Sequence, residues 1–382
     1  MNSARLHATS KTSASLARTP NQMVHAVEVL PELNAELENV WHEIRDTRPE
    51  LRSGFYDPDF SKAVNRVRGD VHYLVLYGHA EVLGILPFQR PKPNLAQPVG
   101  GMLNDYHGLI LRRGVQCDIG EWLPSAGLRH FRFHALQDFS KAKSPSHCKQ
   151  VFETLRATSV DLSQGHHGYR NWLFQHSSTV RRQGQKARAL ARKLGPLSLE
   201  VDCRDRDALE YLIEMKRAKY QRTRTFDILG LSWTQDVLRE IFDLRTANFL
   251  GMLSVLRAGD TIVSGHFGFL ANGILHYWFP AHEHAFGKFS PGTQLMLELT
   301  KEPEEPIFQR IDLGYGDSDL KDRFANAESS VEIGCYDPNA IARNVAERKY
   351  FFRQSLKKIP AKKQVKKFLR PLWPNLGKGQ FP

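Results

Sequence analysis

Between Met252 and Pro280, apolar residues dominate three runs, MLSVLRA, TIVSGHFGFLA and ILHYWFP. Two tight turns, Ala258-Gly259-Asp260 and Ala271-Asn272-Gly273, separate them. Runs of this length with Gly and Asn at the joints predict three consecutive strands. The pattern then changes period. Ser290-Pro291-Gly292-Thr293 opens a segment carrying Leu295, Met296, Leu297 and Leu299. This predicts a helix with Ser290 as N-cap and Pro291 in the first turn, where its missing N–H costs nothing. Phe308–Leu313 predicts another strand, ending in Gly314-Tyr315-Gly316, after which Asp317 caps a short helix carrying Lys321 and Phe324. A last strand falls near Ser330–Tyr336.

The earlier half repeats part of this grammar. A first helix is expected over Leu30–Glu43, with Leu30, Leu33, Leu37 and Val40 on its apolar face. Strands are expected at Val71–Tyr77 and Glu81–Pro87, and Leu123–Leu136 reads as a helix followed by a strand. No S-P-G helix start occurs in this half, so it reads as a degenerate copy of the later one. Residues 141–170 read as a Ser-, His- and Gly-rich connection. Asn171–Leu194 reads as a basic helix with Arg181, Arg182, Lys186, Arg188, Arg192 and Lys193. A strand at Leu197–Val201 and helices at Ala208–Tyr220 and Val237–Ala247 complete the pattern. The expected organisation is an unstructured segment 1–27, a first domain 28–150, a second domain 165–340 and a basic tail 341–382.

Composition narrows the function classes. The 382 residues are 41% hydrophobic, and no apolar run approaches the ~20 residues of a membrane helix. The four cysteines stand singly, which favours free thiols in a cytoplasmic protein over a disulfide framework or a zinc site. The close histidine pairs His166-His167 and His282-x-His284 lack a recognisable metal spacing, and no metal is expected. The net charge of +12 is concentrated at the end. From Ile341 to Pro382 there are twelve Lys or Arg and one acid, Glu347. A strand feeding a helix start with free N–H groups, as at Ser290-Pro291-Gly292, is a ready-made phosphate site.

Taken together, the G-D-x-I-V-S strand pair, Tyr277, the F-S-P-G helix start and the D-L-G-x-G-D…K element resemble the GNAT acyltransferase superfamily. More narrowly, they are similar to its CelD-like or BioF2-like acetyltransferases, associated with cellulose and other polysaccharide synthesis. The resemblance covers Asn171–Tyr336, and more weakly Leu51–Ile110, where Phe55–Phe60 matches an aromatic-x-[S/D]-P-x-[F/W] opening. It implies an α/β fold of two tandem GNAT-like domains, mixed sheets flanked by helices. It also implies transfer of an acyl group from acyl-coenzyme A, as co-substrate, to an amine or hydroxyl on a small-molecule or saccharide acceptor. The cofactor's pyrophosphate would lie on Lys288, Phe289, Ser290, Pro291, Gly292, Thr293 and Gln294, although the usual Q/R-x-x-G-x-G/A loop is replaced here by K-F-S-P-G-T. His266, on the Thr261–Leu270 strand, is the candidate base, expected to share a face with Ser264 opposite Val263, Gly265, Phe267 and Phe269. Asp312, Asp317 and Lys321 would line the transfer cleft. Tyr277 and Tyr315 are candidate acids for a leaving thiolate.

Two alternatives stay open: a Fem-like transferase drawing an aminoacyl group from tRNA, which the basic helix would suit, and an inactive accessory protein of polysaccharide synthesis. Residues 350–373 mix Lys and Arg with Phe, Leu and Trp, the composition of a helix lying on anionic lipid, with Pro360 splitting it in two. Such a helix would hold a cytoplasmic protein at the inner face of the membrane; a helix packed on the body of the protein with solvated lysines is the alternative, and nucleic acid a weaker third.

Overall fold

A computed structural model describes residues 23–79, 81–139, 147–301 and 307–358. The first part contains β1 (Ala26–Leu30), α1 (Ala35–Asp46), α2 (Pro58–Arg68), β2 (Val71–Tyr77), β3 (Val82–Lys92), β4 (Leu95–Gln97), β5 (Ile110–Leu111), α3 (Ile119–Trp122) and β6 (His130–Leu136). A long strand follows, β7 (Lys149–Asp161), then α4 (His166–His176), α5 (Ser178–Arg181), α6 (Gln183–Leu194), β8 (Leu197–Glu200), α7 (Arg206–Thr223) and α8 (Ser232–Asp243). The chain ends with β9 (Phe249–Ala258), β10 (Thr261–Ala271), β11 (Ile274–His282), α9 (Pro291–Leu299), β12 (Arg310–Tyr315), α10 (Asp319–Phe324), β13 (Ala327–Tyr336) and α11 (Ala340–Lys358).

All strands join one mixed sheet, ordered β1-β2-β3-β4-β6-β13-β7-β12-β11-β10-β9-β8, with β5 paired to β3. The order contains a repeat. Four strands, β1 to β4, run antiparallel, and β4 then meets β6 in parallel. Likewise β8 to β11 run antiparallel and β11 meets β12 in parallel. The next strand in sequence is exchanged in both cases: β7 pairs with β12 rather than β6, and β13 pairs with β6. The two exchanged strands pair with each other at the centre. In place of α9, the first copy has only one-turn α3 between β4 and β6.

Several expectations change here. Ala26–Leu30 is a strand, so the first helix starts later, at Ala35, where the Asn34 side chain accepts from Leu37 N at 2.8 Å. Residues 1–22 of the expected unstructured segment lie outside the described residues. The supposed connection 141–170 contains β7, a 13-residue strand whose Ala157 and Val160 are fully buried. Polar Glu153, Thr154, Arg156, Thr158 and Ser159 interrupt its apolar residues, and its place is held by pairing to strands on both sides. The basic segment after Asn171 is three helices, since Ser177 caps a new turn by accepting from Val180 N.

The two copies share a core. Trp41, Phe55, Phe60 and Val64 of the first cluster with Leu209, Leu212, Val237, Ile241 and Phe269 of the second. The turn between α1 and α2 is fixed by a buried ion pair, Arg45 Nη1 to Asp57 Oδ2 at 2.5 Å, while Asp57 also caps α2. That turn delivers the Phe55 ring to within 5.0 Å of Phe269 and 4.7 Å of His276. A second cluster, including Leu275, Tyr277, Leu295, Met296 and Leu313, fills the opposite face of the sheet beneath α9.

Candidate active site

The parallel strands β11 and β12 pair only at Ile274–His276 with Arg310–Asp312. Beyond those residues they diverge, β11 running on to His282 and β12 turning at Gly314, whose φ is +74°. A register shift on the other side of β12, between Asp312 and Tyr315, bends the strand at the same place. His276 and Asp312 are directly opposite, so their side chains leave the sheet on one face, toward the first copy.

A loop of the first copy meets them. Asn104 holds it: its Nδ2 donates to Val99 O and its Oδ1 accepts from Tyr106 N. Asp105 Oδ2 lies 2.9 Å from His276 Nε2. Tyr106 OH donates to Asp312 Oδ1 at 2.8 Å, and Gly314 N donates to the same oxygen at 2.8 Å. His276 Nδ1 stands 3.7 Å from Asp312 Oδ1. The imidazole is therefore bracketed by two carboxylates from different copies and walled by Phe55, Phe269 and Trp278. Burial raises the Asp312 carboxyl above its ordinary range, against the pull of His276. Burial and Asp312 together raise the Tyr106 phenol, which keeps it a donor. Asp105 differs from its neighbours in exposure: its side chain is 25% accessible, whereas His276 is 1%. A Cβ on Gly314 would stand 2.7 Å from Asp105 Oδ2, so this close approach needs glycine as much as the positive φ does.

The ammonium of Lys216, on α7, reaches the same region from the side of β11. It donates to Pro280 O at 2.9 Å and lies over the Tyr220 and Phe279 rings. Burial, aided by Lys219, lowers it to about 7, with Asp105 pulling the other way.

The residues expected from the sequence are divided by the sheet. His266 and Tyr277 stack at 4.6 Å on the face beneath α9, opposite the Asp105–His276–Asp312 group. His266 is fully buried, neither ring nitrogen has a hydrogen-bond partner among the described residues, and burial lowers it to about 3. It is a neutral core histidine rather than a base open to substrate. The expected facing of Val263 with Phe267 and Phe269 also fails, because a register shift between Ile262 and Ser264 turns Val263 into the cluster beneath α9. Tyr277 is buried with its hydroxyl unpartnered among the described residues, and burial raises its pKa.

Asp312 is part of the group. Asp317 is not: its side chain is 80% exposed and 3.4 Å from Arg156, and Ser318 rather than Asp317 caps α10. Lys321 serves the loop. Its Nζ donates to the carbonyls of Gly314, Tyr315 and Gly316, at 3.0, 2.5 and 2.9 Å, which spends all three protons. Burial lowers its pKa, opposed by Asp105 and Asp312. Lys321→Met is expected to cost about 1–2 kcal/mol, because the lost bonds outweigh the relief of desolvation. Asp317→Ala should stay within about 0.5 kcal/mol, as surface changes usually do. Urea unfolding of both variants checks the contrast; equal effects would return Asp317 to a structural role.

At the α9 start, Ser290 takes a left-handed conformation with φ 55° and does not cap through its side chain. Its hydroxyl instead accepts from Lys186 Nζ at 2.8 Å, which brings the basic helix α6 to the helix start. The Ser290 carbonyl accepts from Thr293 N and Gln294 N. Gln294 Nε2 is turned inward to Gln183 O at 3.0 Å, and Phe289 and Thr293 are buried. Pro291 has no N–H, so the donors left for an anion are Gly292 N–H, the Ser290 hydroxyl, Lys186 and exposed Lys288.

Sequence reasoning missed Asp105, Tyr106, His276 and Lys216. The NDYHG run at 104–108, polar residues set directly before the apolar Leu109–Leu111, was the available signal.

Residues 178–322 match the family model described as an acetyltransferase (GNAT) domain. No curated protein matches the chain. Among solved structures the chain is similar to FemX, with a TM-score of 0.53 at 12% identity, covering 84% of this chain and 100% of that one. It is also similar to the C-terminal DUF2156 domain of a putative lysylphosphatidylglycerol synthetase from Agrobacterium fabrum, at TM-score 0.45 and 13% identity over 81% of this chain and 95% of that one. A tandem GNAT protein from the clavulanic acid biosynthesis pathway gives TM-score 0.43 and 11% identity, over 81% and 99%. The protein has a GNAT-like mixed α/β fold.

Proposed function

We propose that the protein is an acyl-coenzyme A-dependent acyltransferase whose acceptor, an amine or hydroxyl, is deprotonated by Asp105. The observation that supports this most is the bracketed His276. A partly exposed carboxylate, held from behind by an imidazole and a second carboxylate, stands where two parallel strands part. His276 donates to Asp105 from Nε2, which leaves the other carboxylate oxygen for the acceptor proton. The acceptor nitrogen or oxygen then attacks the thioester carbonyl. The new C–N or C–O bond forms, the C–S bond breaks, and the thiolate leaves.

The thioester donor fits the α9 start. Gly292 N–H, Ser290 Oγ, Lys186 and Lys288 would hold a pyrophosphate, with the charge of α6 behind them. A CelD-like or BioF2-like role with a saccharide acceptor agrees with the sequence motifs and is the narrower form of this reading. Titration calorimetry with coenzyme A and acetyl-coenzyme A tests it. Micromolar binding, weakened about tenfold in Lys186→Ala, is expected for one lost charge-assisted contact. Binding of aminoacyl-tRNA without binding of either thioester form would favour the Fem-like alternative instead, and binding of neither would favour an accessory role.

A further inference from the structure

Helix α11 is inside out. Asn339 caps it, accepting from Ile341 N at 2.9 Å. Its polar side faces the sheet: Arg343 Nη1 donates to Asp337 O at 2.6 Å, Glu347 accepts from Gln150 Nε2 at 2.9 Å, and Tyr350 OH bonds Glu153 while accepting from Gln354 Nε2. The apolar side faces away. Ile341, Val345 and Phe352 recur at helical spacing and are 75%, 43% and 59% exposed, with Phe351 beside them at 48%. Four of the ten large apolar side chains exposed among the described residues fall within these twelve positions, which is too concentrated to be scattered surface residues. Arg348 and Lys349 lie on the same exposed side.

We propose that this face of α11 lies on an anionic lipid surface, with Ile341, Val345, Phe351 and Phe352 in the acyl boundary and Arg348 and Lys349 at the phosphates. The inference is separate from the acyl-transfer reading, because α11 contacts β7 and β13 and not the divergence of β11 and β12. Hydrocarbon and phosphate are both required of the occupant, and an anionic lipid supplies both. A second copy does not fit. A two-fold contact would set this patch against itself, bringing Arg348 and Lys349 against their own kind. The chain beyond adds to the mismatch, since 341–382 carries a net charge of +11. The same charge favours a negative surface. No helix among the described residues is long and apolar enough to cross a membrane, so the contact is one of lying on the surface.

The test is co-sedimentation of the full chain with vesicles of phosphatidylglycerol and phosphatidylcholine, or of phosphatidylcholine alone. Binding to the anionic vesicles only, falling as salt rises, is expected. The triple change Ile341→Ser, Val345→Ser, Phe352→Ser should weaken it by about tenfold or more. Arg348→Glu with Lys349→Glu should weaken it as well. All five side chains face solvent, so thermal midpoints should stay at the wild-type value, which separates lost binding from lost folding. The proposal is overturned if the wild type does not sediment, if it sediments equally with neutral vesicles, or if the triple variant binds as the wild type does. It is also overturned if the wild type is a dimer that the triple change dissociates, since the face would then be a contact between copies.

Discussion

Asp105→Asn lowers acyl transfer by about 100-fold or more, the usual worth of a general base, while leaving the fold intact. The amide keeps the size of the carboxylate and can still accept from His276 Nε2, so the loop at 104–108 stays in place. What it loses is the capacity to take a proton. Release of free thiol from acetyl-coenzyme A in the presence of acceptor measures the rate, and circular dichroism melting controls for folding. Coenzyme A affinity should be unchanged, because Asp105 is not among the donors at the α9 start. Retention of more than about half the rate would remove Asp105 from the chemistry, since no general base contributes so little. His276→Gln should fall between the two, through its hold on Asp105.

Lys216→Met stabilises the protein at neutral and acid pH by about 3 kcal/mol. The sign follows from where its proton binds. Burial lowers Lys216 to about 7 in the folded protein, while the unfolded lysine titrates near 10.4. As pH falls through that interval the unfolded chain takes up a proton that the folded one does not, and wild-type stability drops. Below about 7 both states are protonated and the penalty is constant. Methionine removes the penalty, offset in part by the Pro280 carbonyl losing its donor. The gain should therefore be full below pH 7 and fade toward pH 10, read as the difference in urea midpoints. A difference that does not change between pH 7 and pH 10 would show that Lys216 is not desolvated in solution.

The fold was legible wherever a run carried its own punctuation. β9, β10 and β11 were bounded by Gly259 and Asn272-Gly273, and α9 by Ser290-Pro291, so their places followed from local chemistry alone. β7 was not legible. It is flanked by strands on both sides, and its Thr154, Arg156, Thr158 and Ser159 pair into the sheet without needing a continuous apolar run. The site was harder still. Asp312 could be read from its strand end, but Tyr106, which bonds it, lies 206 residues away in sequence and Asp105 lies 171 residues from its partner His276, and their meeting depends on the packing of Phe55 against Phe269 and His276. His266 misled for the converse reason: a histidine on the right strand says nothing about which face is open.

The exchange of β7 and β13 bears on the order of events during synthesis. When β6 and β7 have left the ribosome, neither has its final central neighbour. β6 waits for β13, and β7 waits for β12 and β13, all from the far end of the chain. The first copy therefore emerges with an unmatched strand edge, and such edges recruit other chains. Closure requires contacts between residues that lie 149 to 205 positions apart, which makes the last step slow. Pulse-labelled nascent chains truncated before Arg310 should remain protease-sensitive and bound to chaperones, and protection should arrive for both copies together only once β13 is free.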